Sequence, residues 1–490
     1  MLYRVSFILF LILLLQSSCR NSSEEGVKLQ SAVVSFIENT DDIVGYGFLD
    51  LAEVVQKGNL NEIEELGSFF NQQLSDLEEG ISISERLFFV LKGPLYDNET
   101  PSNIYFFMQI KNLEKFQSLI DEMGFSIEQE GRLKWHSNDD FSLGYDENFL
   151  IVVTSENNQD EEKIHLVKAF EEIYKESKNK GIGAYLSQQK DFSFVASLAS
   201  LSSIPGYQDE TLMDNRDERI KSATKDAKIS FSLTFNEGNI VSEFELLNAN
   251  DTLKEMFFFQ EHGPDDILSE LEGITPDFAI TAAIDVEKLD NLITFFNPDT
   301  KQEFIRSFGK YGLMFESVAG DDIGNVTNGK LGVVFSEEND TFNIHSVVGW
   351  GKEKQNILDI ISSLAEEGTL TDLGNGYYHY EGSLIKTSED FLVFHENIPS
   401  NVEDMNYNNK TSHKVDNKGY PFYIFFDVKN NKNMVGSIYK SNDYIVRIID
   451  YIEVFGNNEK FKVEFVLHQN DKNALSYFIE SIIQRYENSY

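Results

Sequence analysis

Leu87-Phe88-Phe89-Val90-Leu91 is an apolar run too short for a helix, and it reads as a buried strand. A run of the same kind, Leu331-Gly332-Val333-Val334-Phe335, begins 244 residues later. Each sits in a larger segment of matching order. The first segment opens with the strand Val44–Leu49, which ends in Asp50-Leu51. A helical stripe follows at Ile63, Leu66, Phe70, Leu74 and Leu77. After Leu87–Leu91, a turn-rich break from Pro94 to Pro101 leads to the strand Ile104–Ile110. Leu113, Phe116, Ile120 and Met123 stripe a second helix, which Gly124 terminates. Strands at Phe141–Tyr145 and Phe149–Val153 close the segment around Asp146-Glu147-Asn148.

The second segment repeats this order. The strand Phe278–Ile284 ends in Asp285-Val286, and Leu289, Leu292, Phe296, Phe304 and Phe308 supply helical stripes. Ile344–Trp350 returns, Ile357, Ile361 and Leu364 form the second helix, and Phe391–Phe394 matches Phe149–Val152. A third, incomplete copy follows. It has the strand Phe422–Phe426 ending in Asp427-Val428, a hairpin of Tyr451–Phe455 with Phe461–Leu467, and a last helix striped by Leu475, Phe478, Ile479 and Ile482. An offset staying near one value over so many elements is evidence of repetition. The order strand–helix–strand–strand–helix–strand predicts an α+β fold of repeated ferredoxin-like βαββαβ units, with antiparallel sheets and both helices on one face. The expected organisation is a first module over 30–225, a second over 226–404, a polar linker at 405–420 and a partial third repeat at 421–490. The first module carries extra pieces: a helix at Glu161–Lys175 and a strand at Phe192–Leu198. The hairpin Ile229–Leu247 follows.

The amino terminus carries an address. Arg4 precedes an almost wholly apolar run from Val5 to Leu15, too short to span a bilayer and of the length of a signal-peptide core. Leu15-Gln16-Ser17-Ser18-Cys19 follows, and Cys19 is the single cysteine of the chain. This resembles a bacterial lipobox, with Leu15 one residue further out than usual. It implies removal of residues 1–18, lipidation of Cys19 and a tether over 19–29. Glu24-Glu25 resembles the surface-export signal of Bacteroidota lipoproteins, which implies an outer-membrane, surface-exposed location. Two or more acyl chains give stable membrane anchoring.

Composition narrows the partners. Asp and Glu number 82 against 41 Lys and Arg, a formal net charge of −41. Nucleic acid is not an expected partner, because phosphate binding needs clustered cations. One cysteine excludes an intrachain disulfide and a Cys-based zinc site. The 40 Phe and 21 Tyr fall largely in strands and read as core.

No nucleophile elbow, zinc-protease motif or P-loop occurs, and neither a catalytic residue nor a cofactor is predicted. Lys180-Gly181-Ile182-Gly183 reads as a turn, and His395-Glu396 as a strand end. His345 lies in a predicted strand and His379 in a turn-rich one, and nothing in the spacing assembles them into a metal site. Asp139-Asp140 and Asp321-Asp322 fall in loops without the spaced oxygens of a calcium loop. Asp50, Asp285 and Asp427 recur at one place in all three copies and read as caps of the helices that follow. Asp251-Thr252-Leu253 resembles the O-glycosylation motif of Bacteroidota secreted proteins.

The chain as a whole resembles lipoproteins of Bacteroidota, of similar length, grouped as a domain of unknown function. The matching segments are the strand into Asp50-Leu51 with its helix, Ile104–Met123, the hairpin at Gly238-Asn239-Ile240-Val241, and Gly320-Asp321-Asp322 ahead of a strand. The resemblance implies a lipid-anchored envelope protein and assigns no activity or site. The expectation is a non-catalytic binding or scaffold protein held to the membrane through Cys19. The alternative is a carboxylate-dependent, glycosidase-like hydrolase whose paired acids come from separate segments.

Overall fold

The described chain opens with a helix, Glu24–Asn39, whose first six residues fall in the expected tether. The computed structural model describes residues 24–59, 78–82, 86–95, 101–138, 141–155, 159–177, 180–202, 216–270, 276–296, 318–320, 322–338, 341–396, 417–429 and 448–487. The signal run, Cys19, the stripe Ile63–Leu77, Phe304 and Phe308, Asp139-Asp140 and Asp321 lie outside those residues, as does most of the expected linker.

The chain divides into two units, one of 1–213, 221–249 and 469–490 and the other of 214–220 and 250–468. The first contains α1 (Glu24–Asn39), β1 (Ile43–Leu49), α2 (Leu51–Gly58), β2 (Leu87–Leu95), β3 (Pro101–Gln109), α3 (Leu113–Glu122), β4 (Glu128–Glu130), β5 (Leu133–Ser137), β6 (Ser142–Tyr145) and β7 (Phe149–Ser155). It continues with α4 (Gln159–Glu172), α5 (Lys180–Leu186), β8 (Phe192–Ser197), β9 (Lys228–Phe235) and β10 (Asn239–Leu247). Its strands form one antiparallel sheet in the order β10-β9-β8-β1-β2-β3-β7-β6-β5-β4. The closing helix of the chain, Ala474–Glu487, belongs to this unit and packs on α2.

Side-chain alternation sorts the sheet's residues onto two covered faces. Phe149, Ile151 and Val153 of β7 pack with Phe48, Tyr105 and Phe107 beneath α1, α4 and α5. Leu150 and Val152 point the other way, towards Phe116 and Ile120 of α3 and Val55 of α2. A strand buried on both sides needs apolar residues at consecutive positions, which is why Phe149–Val153 carries no polar alternation. Each such side chain contributes roughly 1.5–3 kcal/mol of burial free energy.

The second unit contains α6 (Asp265–Glu270), β11 (Phe278–Ala283), α7 (Val286–Phe296), β12 (Thr327–Glu338), β13 (Thr341–Trp350), α8 (Lys354–Glu366), β14 (Thr371–Gly374), β15 (Tyr377–Tyr380), β16 (Ser383–Thr387) and β17 (Phe391–Glu396). The strands β18 (Phe422–Asp427), β19 (Ile449–Gly456) and β20 (Lys460–Leu467) complete it. The sheet order is β20-β19-β18-β11-β12-β13-β17-β16-β15-β14, again antiparallel throughout. Strand for strand, this is the order of the first unit. Val348, Ile357 and Leu392 share one buried cluster with flanking Val286 and Ile293 of α7, while Val347, Val393, Tyr423 and Ile267 of α6 share the other.

The mixed α+β class and the antiparallel sheets are as the sequence predicts, but the details differ in three ways. The strands β1 and β2, joined through α2, are direct antiparallel neighbours, whereas a βαβ crossover joins parallel strands. The sheets therefore do not have the split-βαβ order. Of the two predicted helices, the stripe Ile63–Leu77 lies outside the described residues; α3 shares one sheet face with α2, while α1, α4 and α5 cover the other. The predicted third repeat is instead the tail of the second sheet. Phe422–Asp427 pairs with β11 just as β8 pairs with β1, so β18–β20 hold the places of β8–β10. The module boundary accordingly falls at 249/250 and not at 225/226, with 421–468 inside the second unit.

Candidate functional site

The sequence-singled aspartates divide by role. Asp50 caps α2, accepting from Glu53 N at 3.2 Å, and its second oxygen accepts from Arg86 Nε at 3.2 Å. The Arg86 guanidinium lies 4.1 Å over the Phe48 ring, and its Nη1 donates to Leu186 O at 2.6 Å. Asp285 accepts from Lys288 N at 3.2 Å in the same capping manner at α7. Asp427 ends β18 and is buried; the two described residues after it form a turn, and the helix it is expected to cap falls outside the described residues. Asp322 caps the short turn Ile323–Asn325 and receives Lys352 Nζ at 2.8 Å, so a lysine takes the charge that a calcium ion would need. Lys180–Gly183, predicted as a turn, is the first part of α5, and Asp251–Leu253 opens a short helix capped by Asn250.

The expected cost of losing each cap follows. Asp285→Ala should lower unfolding stability by about 1 kcal/mol, the ordinary worth of an N-cap. Asp50→Ala should cost about 2 kcal/mol, because it also strands a half-buried arginine. Urea denaturation of the two variants measures the difference.

Two histidines that the sequence reading left apart meet in the core of the second unit. His345 on β13 and His395 on β17 are register partners, with Nδ1 atoms 2.7 Å apart. Both are buried. One Nδ1 donates and the other accepts, so at least the accepting ring is neutral. Burial pushes His345 down to about 3, helped by His395. Burial also lowers His395 to about 4, assisted by Lys386 and opposed by Glu270. Lys386 and Glu270 are themselves an ion pair at 2.5 Å. The register places occupied in the first unit's β3–β7 pair by Tyr105 and Val153 hold the histidines here. Their separation of 50 residues hides the pairing from any local motif. Among the described residues, no group of three or more His, Cys, Asp or Glu is arranged to hold a metal.

A large concavity belongs to the first unit. A cleft of about 970 Å³ opens between α1, the β6–β7 turn, the end of α4 and the start of α5. Ala32, Val34, Phe149 and Ile173 supply apolar lining beside the polar Gln30, Ser31, Asn148 and Ser177, and the exposed Tyr174 joins them. The lip is built by the predicted turn: Asp146 Oδ1 accepts from Asn148 N at 2.8 Å and Phe149 N at 3.0 Å. Its Oδ2 accepts from Tyr174 Oη at 2.5 Å. Burial, followed by this carboxylate, pushes the Tyr174 phenol up to about 12. The Arg132 guanidinium sits 4.1 Å over the Tyr174 ring, a cation–π contact that braces it from behind.

Three lysines line this cleft, Lys28 from α1, Lys175 after α4 and Lys180 from α5, and none of the described lining residues is a carboxylate. Lys175 is ion-paired with Glu172. A second cavity of about 250 Å³, flanked by Ile37, Tyr46 and Ile182, holds Lys228, whose ammonium lies 5.4 Å over the Tyr46 ring. Burial lowers Lys228. That volume is below the range of typical ligand sites, and the larger cleft is the better candidate.

No family model matches this chain, and no curated protein does. Among solved structures, the chain is similar to two crystal forms of TP0453. Form III matches with 9% identity over 44% of this chain and 80% of that one, at a TM-score of 0.27. Form I matches with 10% identity over 47% and 82%, at a TM-score of 0.23. Likeness at this level assigns neither fold nor function to the chain.

Proposed function

We propose that the chain is a lipid-anchored protein of the bacterial cell envelope, tethered to the outer membrane through Cys19, that binds a small ligand in the cleft of its first unit without transforming it. We also propose that the two units arose by duplication of one ten-stranded ancestor; the identical strand orders support this. The binding reading is carried by one observation. The cleft combines apolar wall, an exposed aromatic and lysines at a volume suited to a whole ligand. The anchoring rests on the apolar run that ends at the only cysteine. Among the described residues, no helix is long and apolar enough to cross a membrane.

Two variants test the reading. Cys19→Ser should shift the chain from the membrane to the soluble fraction, or leave it with its leader uncut; tight membrane association of a processed Cys19→Ser chain would refute the anchor. Gly183→Leu tests the cleft. A Cβ built at Gly183 meets only Val34 Cγ2, at 3.9 Å, so the leucine would project into open cleft. Leucine also favours the helix by roughly 0.5–1 kcal/mol over glycine. The variant should therefore stay folded and lose any small molecule that co-purifies with the wild type, as read by mass spectrometry of the denatured protein. Identical co-purifying species in both would place the binding elsewhere.

A further inference from the structure

Resting on the binding reading above, we infer that the cleft of the first unit takes an anionic amphiphile, a molecule with a phosphate or carboxylate head and an apolar tail, at the surface of the membrane that holds Cys19. Charge distribution carries the first part. Carboxylates outnumber cations two to one in this chain, yet the described cleft lining holds Lys28, Lys175 and Lys180 and no carboxylate. Glu172 already engages Lys175. Among the described residues no carboxylate pairs with Lys28 or Lys180, so these two ammonium groups are the ones left to meet an anion. Asp146 is engaged by Tyr174 and Glu38 by Ser177, so the attraction for an anion comes from these two ammonium groups and not from a field of one sign.

Shape carries the second part. A bare phosphate needs far less room than about 970 Å³. Beside the lysines and the polar Gln30, Ser31, Asn148 and Ser177, the lining includes the apolar Ala32, Val34, Phe149 and Ile173 and the Tyr174 ring. Water against these apolar groups is displaced favourably by a hydrocarbon chain and not by a second polar group. Chain length carries the third. Four residues separate Cys19 from the start of α1, and Lys28 lies within the first turns of that helix. Fully extended chain plus helical rise limits the Cys19–Lys28 span to roughly 24 Å. An acylated Cys19 therefore holds the cleft beside the headgroups, where anionic amphiphiles are concentrated.

Titration calorimetry below the micellar limit tests this on the full chain carrying Cys19→Ser, with three probes. Lysophosphatidylglycerol has the anionic head and the tail, lysophosphatidylcholine has the tail with a zwitterionic head, and glycerol 3-phosphate has the anion alone. Lysophosphatidylglycerol should bind at least tenfold tighter than either of the others, and weaken as NaCl rises. The double change Lys28→Glu with Lys180→Glu should lose at least tenfold; both side chains are exposed, and circular dichroism checks the fold. Gly183→Leu should lose as much without altering charge. Equal binding of lysophosphatidylcholine, or indifference to the lysine pair, overturns the anionic head. Glycerol 3-phosphate binding as tightly as the lysolipid overturns the tail and assigns the site to a free phosphate compound. If no probe binds while the wild type still co-purifies with a ligand that Gly183→Leu loses, the amphiphile is wrong and the binding reading stands. If neither occurs, both fall.

Discussion

Lowering the pH from 7 to 5 will destabilise the second unit far more than the carboxylates of its surface can explain, and the buried His345–His395 pair will be the cause. The folded pair titrates near 3 and near 4, against 6.5 for a free imidazole. Between those values the unfolded chain binds protons that the folded chain refuses. Stability is therefore full above pH 6.5 and lost as the pH falls towards the folded values. The slope is about 1.4 kcal/mol per pH unit for each histidine at its steepest. Lys386 adds to the refusal and Glu270 partly offsets it. The chain has two tryptophans, Trp135 in the first unit and Trp350 in the second. In a Trp135→Phe background, Trp350 fluorescence reports the second unit alone during urea denaturation. Replacing His345→Tyr with His395→Val installs the residues that hold the same register places in the first unit, and should flatten the dependence between pH 7 and 5. An unchanged slope in that double variant would show that other groups set it.

The second large effect belongs to a glycine. Gly329 sits in a bulge of β12, where the register with β13 shifts between Thr327 and Leu331. Its φ is +88°, a conformation that side chains rarely adopt, and its carbonyl accepts from Ile284 N at 2.9 Å. A Cβ there would collide with the backbone oxygen of Ile284, a partner that cannot swing away. Strained backbone and overpacking each cost about 1–3 kcal/mol, so Gly329→Ala should lose about 3 kcal/mol or more. Gly368→Ala is the control: its φ is also positive, at +77°, but nothing lies near its Cβ. It should lose only the backbone share, about 1–2 kcal/mol. Equal losses in the two variants would mean that conformation alone, and not the close approach of Ile284, makes position 329 glycine.

Much of the architecture is legible because it is local. Phe149–Val153 and Phe391–Phe394 announce strands by unbroken apolar residues, and Leu113, Phe116 and Ile120 announce a helix by spacing. Asp50 and Asp285 announce caps by standing one residue ahead of their helices. α1 was missed for a local reason as well. Ala32, Val33, Val34, Ser35, Phe36 and Ile37 are all buried, so no polar face survives to give the helical period, and Gly26 with two adjacent valines lowers the propensity. Asp427-Val428 misled in the opposite direction, by mimicking the strand endings at Asp50 and Asp285. Its place is decided by pairing with β11, and pairing is not a local property.

What the sequence alone determined is therefore the class of elements, their order and their repetition in kind. Each of these depends on residues a few positions apart, or on one run compared with another. The tertiary structure alone decided which strands are neighbours, which histidines touch and where the lysines converge. His345 meets His395 because β13 and β17 pair in one register and no other, which burial on both faces enforces. Lys28, Lys175 and Lys180 share a cleft because α1 and the α4–α5 segment lie over the same sheet face, packed there through Phe36, Phe170 and Leu186. Burial free energy has no direction along the chain, so it can join residues 28 and 180 as readily as neighbours, and no spacing in the sequence records that choice.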